Sequence, residues 1–467
     1  MVTKEQIEAY FADKEKLLVD AVCRLVSIDS VEGKPAPGAP FGPGPAAALE
    51  EALAIAREWG LAAENHEGYV GVASLNDGED ALHILGHLDV VAPGEGWTVT
   101  QPYAPKLVDG LLYGRGTDDD KGPVAASLLA LKAVKDLGIP LTKNCKVIMG
   151  TNEESGSRDI AWYFARHPYA PATFSPDAGF PVINTEKGGF RPTFTKDWPA
   201  QEELPRVKWL HGGIRSNILP GAASAGVEGL TMYEIQPVAR DITAHTGIKF
   251  TFANEGGVTV IHAKGENSHA AYPEGGNNAI TGLISLLCAL PLADGGCRQA
   301  LNDLNALLPH GDYKGRALGI AQEEPIAGPL TVAFSLLEVT ETGLKGFFDS
   351  RAPLCATEEN CLNVARAAFE GRGFTFEGSQ GAPHHVPADS PFINTLLKRY
   401  EEYTGLKGEC LSTGGGTYVH DIPGGVAFGC TLPGFDTHLH GADERVRVSD
   451  LMLSAKLFAH IIADLCA

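Results

Sequence analysis

Apolar residues recur at helical spacing, with charges between them, through the opening segment MVTKEQIEAYFADKEKLLVDAVCRLV, which predicts one amphipathic helix. Proline and glycine crowd residues 33–45, so a loop is expected there, with a helix starting near Ala46. The pattern then shortens. YVGVASL from Tyr69 and ALHILGHLDVV from Ala81 read as strands, KGPVAASLLALKAVKDLG from Lys121 as a helix ended by Gly138, and CKVIMGTNEESGS from Cys145 as a strand running into a loop. Strand, helix and strand in that order predict an α/β layer around a mostly parallel sheet. Ligands in such sheets gather beyond the carboxyl ends of the strands.

From about Glu186 to about Pro383 this alternation is lost. Strands such as VTVIHAKG and LTVAFSLLEVT mix with helices expected at 278–290, 298–308 and 358–369, the texture of a separate α+β domain. The tail from about Pro387 holds a helix (SPFINTLLKRYEEYTG), a glycine-rich turn (STGGGTY), an apolar strand (GGVAFGCTLPG) and a terminal amphipathic helix (VSDLMLSAKLFAHIIADL). Pattern alone leaves open whether this tail completes the first domain or forms a third.

Composition narrows the function classes. At 467 residues the chain exceeds one compact core, and no apolar run approaches the roughly 18 residues that span a bilayer. The opening segment lacks a basic leader and a continuous apolar stretch, so a cytoplasmic protein without an export signal is expected. Thirty-seven basic against 58 acidic side chains give a formal charge of −21, which repels polyanions and argues against a nucleic-acid partner. Nine cysteines, an odd number with no C-x-x-C pair, are expected to be reduced.

Candidate chemistry collects at the ends of the apolar strands: His87 with Asp89, the run Asp118-Asp119-Asp120, the pair Glu153-Glu154, Asp177, and a C-terminal cluster of His438, His440, Asp443 and Glu444. Two imidazoles and three carboxylates shared between two divalent ions suit a zinc-like metal, which accepts both nitrogen and oxygen donors; manganese or cobalt also fits an oxygen-rich site. Residues i and i+2 of an extended segment share a face. His87 can therefore present a ring nitrogen to a metal while the Asp89 carboxylate holds the ring from behind.

Taken together, GHLDVV, GRGTDDDKGP, NEESGS, SPDAGFPV, NSHAAYPEGG, DSRAP, STGGGTY and HGADE resemble, in order and spacing, the co-catalytic dizinc peptidases that include aminoacylases, glutamate carboxypeptidases and carnosinase-type dipeptidases. The pattern as a whole is most similar to bacterial PepV-type dipeptidases, and within the resemblance the Asp-Asp-Lys-Gly-Pro ending favours dipeptidases over deacylases. The resemblance implies His87 and Asp177 on one metal, Glu154 and His440 on the other, and Asp119 bridging both, with a cis peptide after Asp119. His440 is preferred to His438 because it has the H-x-x-[ND]-E spacing to Glu444, though His438 remains the alternative. Glu153 matches the general base, His269 the lid histidine that stabilises the oxyanion, and Asn217, Arg351 and Gly415 the contacts to substrate and its α-carboxylate.

That ligand order implies a discontinuous catalytic domain, residues 1–185 plus 386–467, of the α/β zinc-peptidase type with a central, mostly parallel sheet flanked by helices. Residues 186–385 would be an inserted α+β lid. The length of the lid implies a monomer, and the family pattern implies a dipeptidase acting on unblocked dipeptides. An N-acyl-amino-acid deacylase of the same fold is the alternative, and a non-catalytic peptide- or metal-binding protein a more distant one.

Overall fold

The computed structural model describes residues 2–467. The chain divides into two compact units, residues 1–185, 385–412 and 416–467 in the first, and 186–384 with 413–415 in the second. All nine cysteines are free thiols, and no described helix is long and apolar enough to cross a membrane.

The first unit is built on a twisted sheet whose middle is parallel. Asn144–Gly150, Asp80–His87, Ala172–Ser175 and Val426–Phe428 lie side by side and run the same way. Val70–Ser74 and Ala62–His66 extend one side antiparallel, and Val182–Glu186 the other. Near-continuous burial of Asp80–His87 and Asn144–Gly150 explains their unbroken apolar runs, since a central strand is covered on both faces. The tail strand Val426–Phe428 pairs with Ala172–Ser175, so the C-terminal segment is part of this unit. Helices Lys121–Asp136 and Val448–Cys466 pack on each other and on the sheet, where Leu82, Ile84, Val147, Phe174, Phe428 and Phe458 form one core.

Local signals explain most boundaries, with one difference. The opening segment forms two helices, Lys4–Phe11 and Glu15–Val26, instead of one. A tight turn in which the Lys14 amide donates to the Phe11 carbonyl separates them. Buried positions 7, 11, 18, 22 and 25 keep helical spacing across the break, so periodicity does not mark it. The helix expected near Ala46 starts at Pro43, where proline's fixed φ and missing N–H suit a first turn.

The second unit is an antiparallel sheet in the order Lys249–Glu255, Val258–Lys264, Ala222–Glu228, Arg206–Gly212, Thr331–Val339 and Gly343–Ala352. Helices Met232–Thr246, Ala279–Ala289 and Gly296–Leu307 pack against it, with Leu210, Ile261, Leu283, Phe334 and Phe348 in its own core. The helix expected at 358–369 is a π-helical turn, Glu358–Leu362, capped by Thr357 and continued by Asn363–Glu370.

Candidate metal centre

Three parallel strands deliver the first ligands at their carboxyl ends. His87 is the last residue of Asp80–His87, Glu153 and Glu154 follow Asn144–Gly150 in a short 3-10 turn, and Asp177 follows Ala172–Ser175. Gly86 is required beside them. A Cβ there would lie 2.5 Å from both Asp120 Oδ2 and Val124 Cγ2, and that aspartate oxygen accepts the His87 backbone N–H at 3.0 Å.

The His87 ring is oriented differently from the sequence expectation. Its Nδ1 lies 2.9 Å from the Asp89 backbone carbonyl, while the Asp89 carboxylate stands off at 3.5 Å. A carbonyl cannot donate, so Nδ1 carries a proton, and Nε2 is the ring atom turned toward the other candidate ligands. The Asp89 carboxylate instead accepts the amides of Glu153 and Glu154, each at 3.1 Å. The cause is the 3-10 turn Glu153–Ser155, whose leading N–H groups have no partner within it.

Asp119 lies where the ligand sets meet. His87 Nε2 is 2.8 Å from its Oδ1 and His440 Nε2 is 2.8 Å from its Oδ2. The peptide bond from Asp119 to Asp120 is cis. Glu444 fixes the loop that carries them. Its Oε1 accepts the amides of Gly116, Asp118 and Asp119 at 3.0, 3.0 and 3.3 Å, and its Oε2 pairs with buried Arg115. Asp118 points elsewhere, accepting the Thr431 hydroxyl at 2.7 Å.

Two groups of potential ligands result: His87, Asp119 and Asp177, and Asp119, Glu154 and His440, the donor atoms in each lying within 4.8 Å of one another. His438 is in neither. Its Nδ1 is 3.1 Å from the Ala442 carbonyl and its Nε2 3.1 Å from Arg445. The residues fit a pair of divalent ions on two counts. The donors mix imidazole nitrogen with carboxylate oxygen, and two of them, buried His87 Nε2 and Glu154 Oε1, make no aligned hydrogen bond and face only other members of the set, Asp119 at 2.8 Å and His440 at 3.4 Å.

Charge balance makes the same demand. Burial, reinforced by the Asp119 charge, pushes Glu154 up to about 7, and burial also raises Asp177. Burial would raise Asp119 too, but the imidazoles of His440 and His87 hold it well below the usual carboxylate range. Burial disfavours the His440 cation, yet Asp119 and Glu154 carry it up to about 11. Glu153 is held well above the ordinary carboxyl range by burial, opposed by His87 and reinforced by Asp177, Glu154 and Asp119. So dense a set of buried carboxylates is stable as anions when cations sit among them.

The second unit holds the remaining candidates. Ile218–Leu219 and Ser268–His269 form a two-stranded ribbon in which Ile218 faces His269, and the Ala270 amide donates to the Asn217 carbonyl at 2.9 Å. Asn217 and His269 are therefore neighbours on one ribbon, with His269 exposed. Arg351 is buried at the end of Gly343–Ala352, and its Nε and Nη2 donate to Asp349 at 2.6 and 3.0 Å. Its Nη1 donates to the Gly414 carbonyl at 2.6 Å, and the Gly415 amide donates to the Thr413 hydroxyl at 3.1 Å. The fork expected for a substrate carboxylate is thus turned on Asp349, which leaves one N–H on each terminal nitrogen.

The profile of Peptidase family M20/M25/M40 matches residues 83–464. The chain belongs to this family. A Bacillus subtilis (strain 168) protein named "Putative dipeptidase YtjP" is 36% identical over 459 residues, covering 97% of each chain. Beta-Ala-Xaa dipeptidase of Lactobacillus delbrueckii subsp. lactis is 31% identical over 462 residues, again with 97% of each chain covered. Human carnosine dipeptidase 1 shares the fold, with a TM-score of 0.59 at 16% identity over all of this chain and 99% of its own.

Several residues that shape this M20 peptidase's centre carry no single-residue sequence signal of their role. Asp120 holds the His87 backbone, Glu444 and Arg115 the Asp119 loop, and Asp349 the Arg351 fork. Arg115 stands between two glycines and Asp349 inside a buried strand, while Asp120 and Glu444 are hidden among other charged residues, and burial of any of them requires a partner.

Proposed function

We propose that the chain is a metal-dependent dipeptidase that hydrolyses the peptide bond of unblocked dipeptides. The observation that carries this reading is the sharing of Asp119 between two donor groups, with Glu153 beside one of them on a turn fixed by Asp89. In it, residues 1–185 and 386–467 are the catalytic domain and 186–385 the lid. His87, Asp119 and Asp177 hold one ion, and Asp119, Glu154 and His440 the other. Two divalent cations bound there, zinc before manganese or cobalt, lower the proton affinity of water and polarise a carbonyl.

The protein's own groups do the rest. Glu153, set on the turn that Asp89 holds, takes a proton from the attacking water and delivers it to the leaving amine. His269 donates a hydrogen bond to the oxygen on which negative charge develops. Arg351, aimed by Asp349 and with two N–H groups to spare, binds the substrate α-carboxylate, with Gly415 and Asn217 as further contacts. The same reading makes the protein a cytoplasmic monomer, which light scattering on purified protein tests against the chain mass of 49.3 kDa.

The deciding experiment is metal analysis with a substrate panel before and after chelation. The panel contains α- and β-alanyl dipeptides and N-acetylated amino acids. Two ions per chain and chelation-sensitive cleavage of free dipeptides are expected. A strong preference for N-acetylated amino acids would transfer the chain to the deacylase reading, and hydrolysis unaffected by chelation would overturn the metal mechanism.

A further inference from the structure

Behind the centre lies a buried polar pair that the reaction above does not use. Asp159 is 0% and Tyr418 3% exposed, and the Tyr418 hydroxyl donates to Asp159 Oδ2. The same oxygen accepts the backbone N–H of Thr151 at 2.5 Å and of Asn152 at 2.8 Å, while Oδ1 accepts that of Ile160 at 2.7 Å. Thr151 and Asn152 are the two residues between the strand Asn144–Gly150 and Glu153. The Tyr418 ring stands edge-on to the His87 ring, with centroids 6.2 Å apart and planes at 88°. Gly150 makes room for the hydroxyl: a Cβ there would lie 1.9 Å from Tyr418 Oη and 2.4 Å from Asp159 Oδ2.

We infer that the Asp159–Tyr418 pair positions the general base, by fixing the two residues that lead into Glu153. The approach to the turn and the first two amides of the turn are each held by a carboxylate. Asp159 holds Thr151 and Asn152, and Asp89 holds Glu153 and Glu154. With four consecutive amides from Thr151 to Glu154 held, the Glu153 side chain departs from a fixed point, and proton transfer depends on placement to within about 0.5 Å. Tyr418 is the long-range part of the device, since 259 positions separate it from Asp159. Its hydroxyl stabilises the buried carboxylate, and its ring keeps the pair in register with His87. Tyr418 and Asp159 are positioning residues: they act through Glu153 and touch neither substrate nor metal.

The inference rests on Glu153 being the base, so its test carries a readout independent of turnover. Tyr418→Phe deletes the hydroxyl and keeps the ring. In the full-length, metal-loaded protein, hydrogen exchange at the Thr151 and Asn152 amides should accelerate about tenfold, the scale of one lost hydrogen bond to a charge. Exchange in Asp80–His87 should stay unchanged, with two ions retained. On a cleaved dipeptide, kcat should fall about tenfold with KM within about twofold. Asp159→Asn should give the same signature more strongly, and the double variant should be no worse than Asp159→Asn alone, because both substitutions break one unit. Unchanged exchange at Thr151 and Asn152 overturns the inference. So does loss of protection throughout the first unit, or loss of metal in step with kcat, since either marks a merely structural tie. If the unsubstituted protein cleaves no dipeptide, the proposed function fails, and local exchange alone judges the positioning.

Discussion

The two units hold their candidate groups in opposite ways. In the first, His87, Asp89, Asp119 and Glu444 are buried at strand and loop ends, and Asp89 and Glu444 are fixed on backbone amides. In the second, Asn217 and His269 sit on a two-stranded ribbon with His269 exposed, and Arg351 alone is buried, engaged by Asp349. Holding cations requires donors whose geometry is set before binding, and buried carboxylates tied to backbone amides supply that. Groups that meet a substrate must exchange partners as it arrives and leaves, which suits an exposed ribbon.

If this contrast is right, substitutions in the first unit act on metal and turnover, and those in the second on substrate binding. The largest effect is expected for Asp119→Ala, the residue common to both ligand groups. Metal content should drop well below two per chain and dipeptide cleavage should be lost; two retained ions would break the contrast at once. Next comes Glu153→Gln, for which kcat should fall about 10²- to 10⁴-fold with both ions retained, as metal analysis beside steady-state kinetics would establish. For Arg351→Lys, which keeps the charge but loses the fork, KM should rise about tenfold with kcat nearly unchanged; an equal fall in kcat would move Arg351 out of ground-state binding.

The smallest effect concerns stability away from either set. Asp80 accepts from His83, Asn144 and Lys146 at 3.1, 2.9 and 2.7 Å. Burial works against its charge, but these partners lower its pKa to about 2. A folded pKa below the unfolded value means stabilisation that is complete above the unfolded pKa and fades as pH falls through the folded one. Asp80→Asn should therefore cost about 0.5 kcal/mol at pH 7, the scale of a partly exposed pair. The gap to the unsubstituted protein should close as unfolding is followed from pH 5 down toward pH 2.

The parallel strands and the clusters at their ends were legible in the sequence because both follow from local rules. A strand buried on two faces reads as an unbroken apolar run, as Asp80–His87 does, and a polar residue after such a run stands out. The break at Asp13 was illegible because apolar spacing continues through it. What the Asp89 carboxylate binds was illegible for another reason. Its partners are amides of a turn 64 and 65 residues away, and a backbone N–H has no letter in a sequence. The Asp349 grip on Arg351 shows the same limit: the DSR triplet names both residues but not whether the fork faces a ligand or its neighbour two positions back.

Every role proposed for the first unit requires two cations that share Asp119. Anomalous diffraction from crystals of the metal-loaded protein, recorded at the absorption edge of the bound metal, tests it most directly. Two peaks are expected, one among His87, Asp119 and Asp177 and one among Asp119, Glu154 and His440, each about 2.0–2.2 Å from its donor atoms. A single peak away from Asp119, or none in protein that cleaves dipeptides, would contradict it.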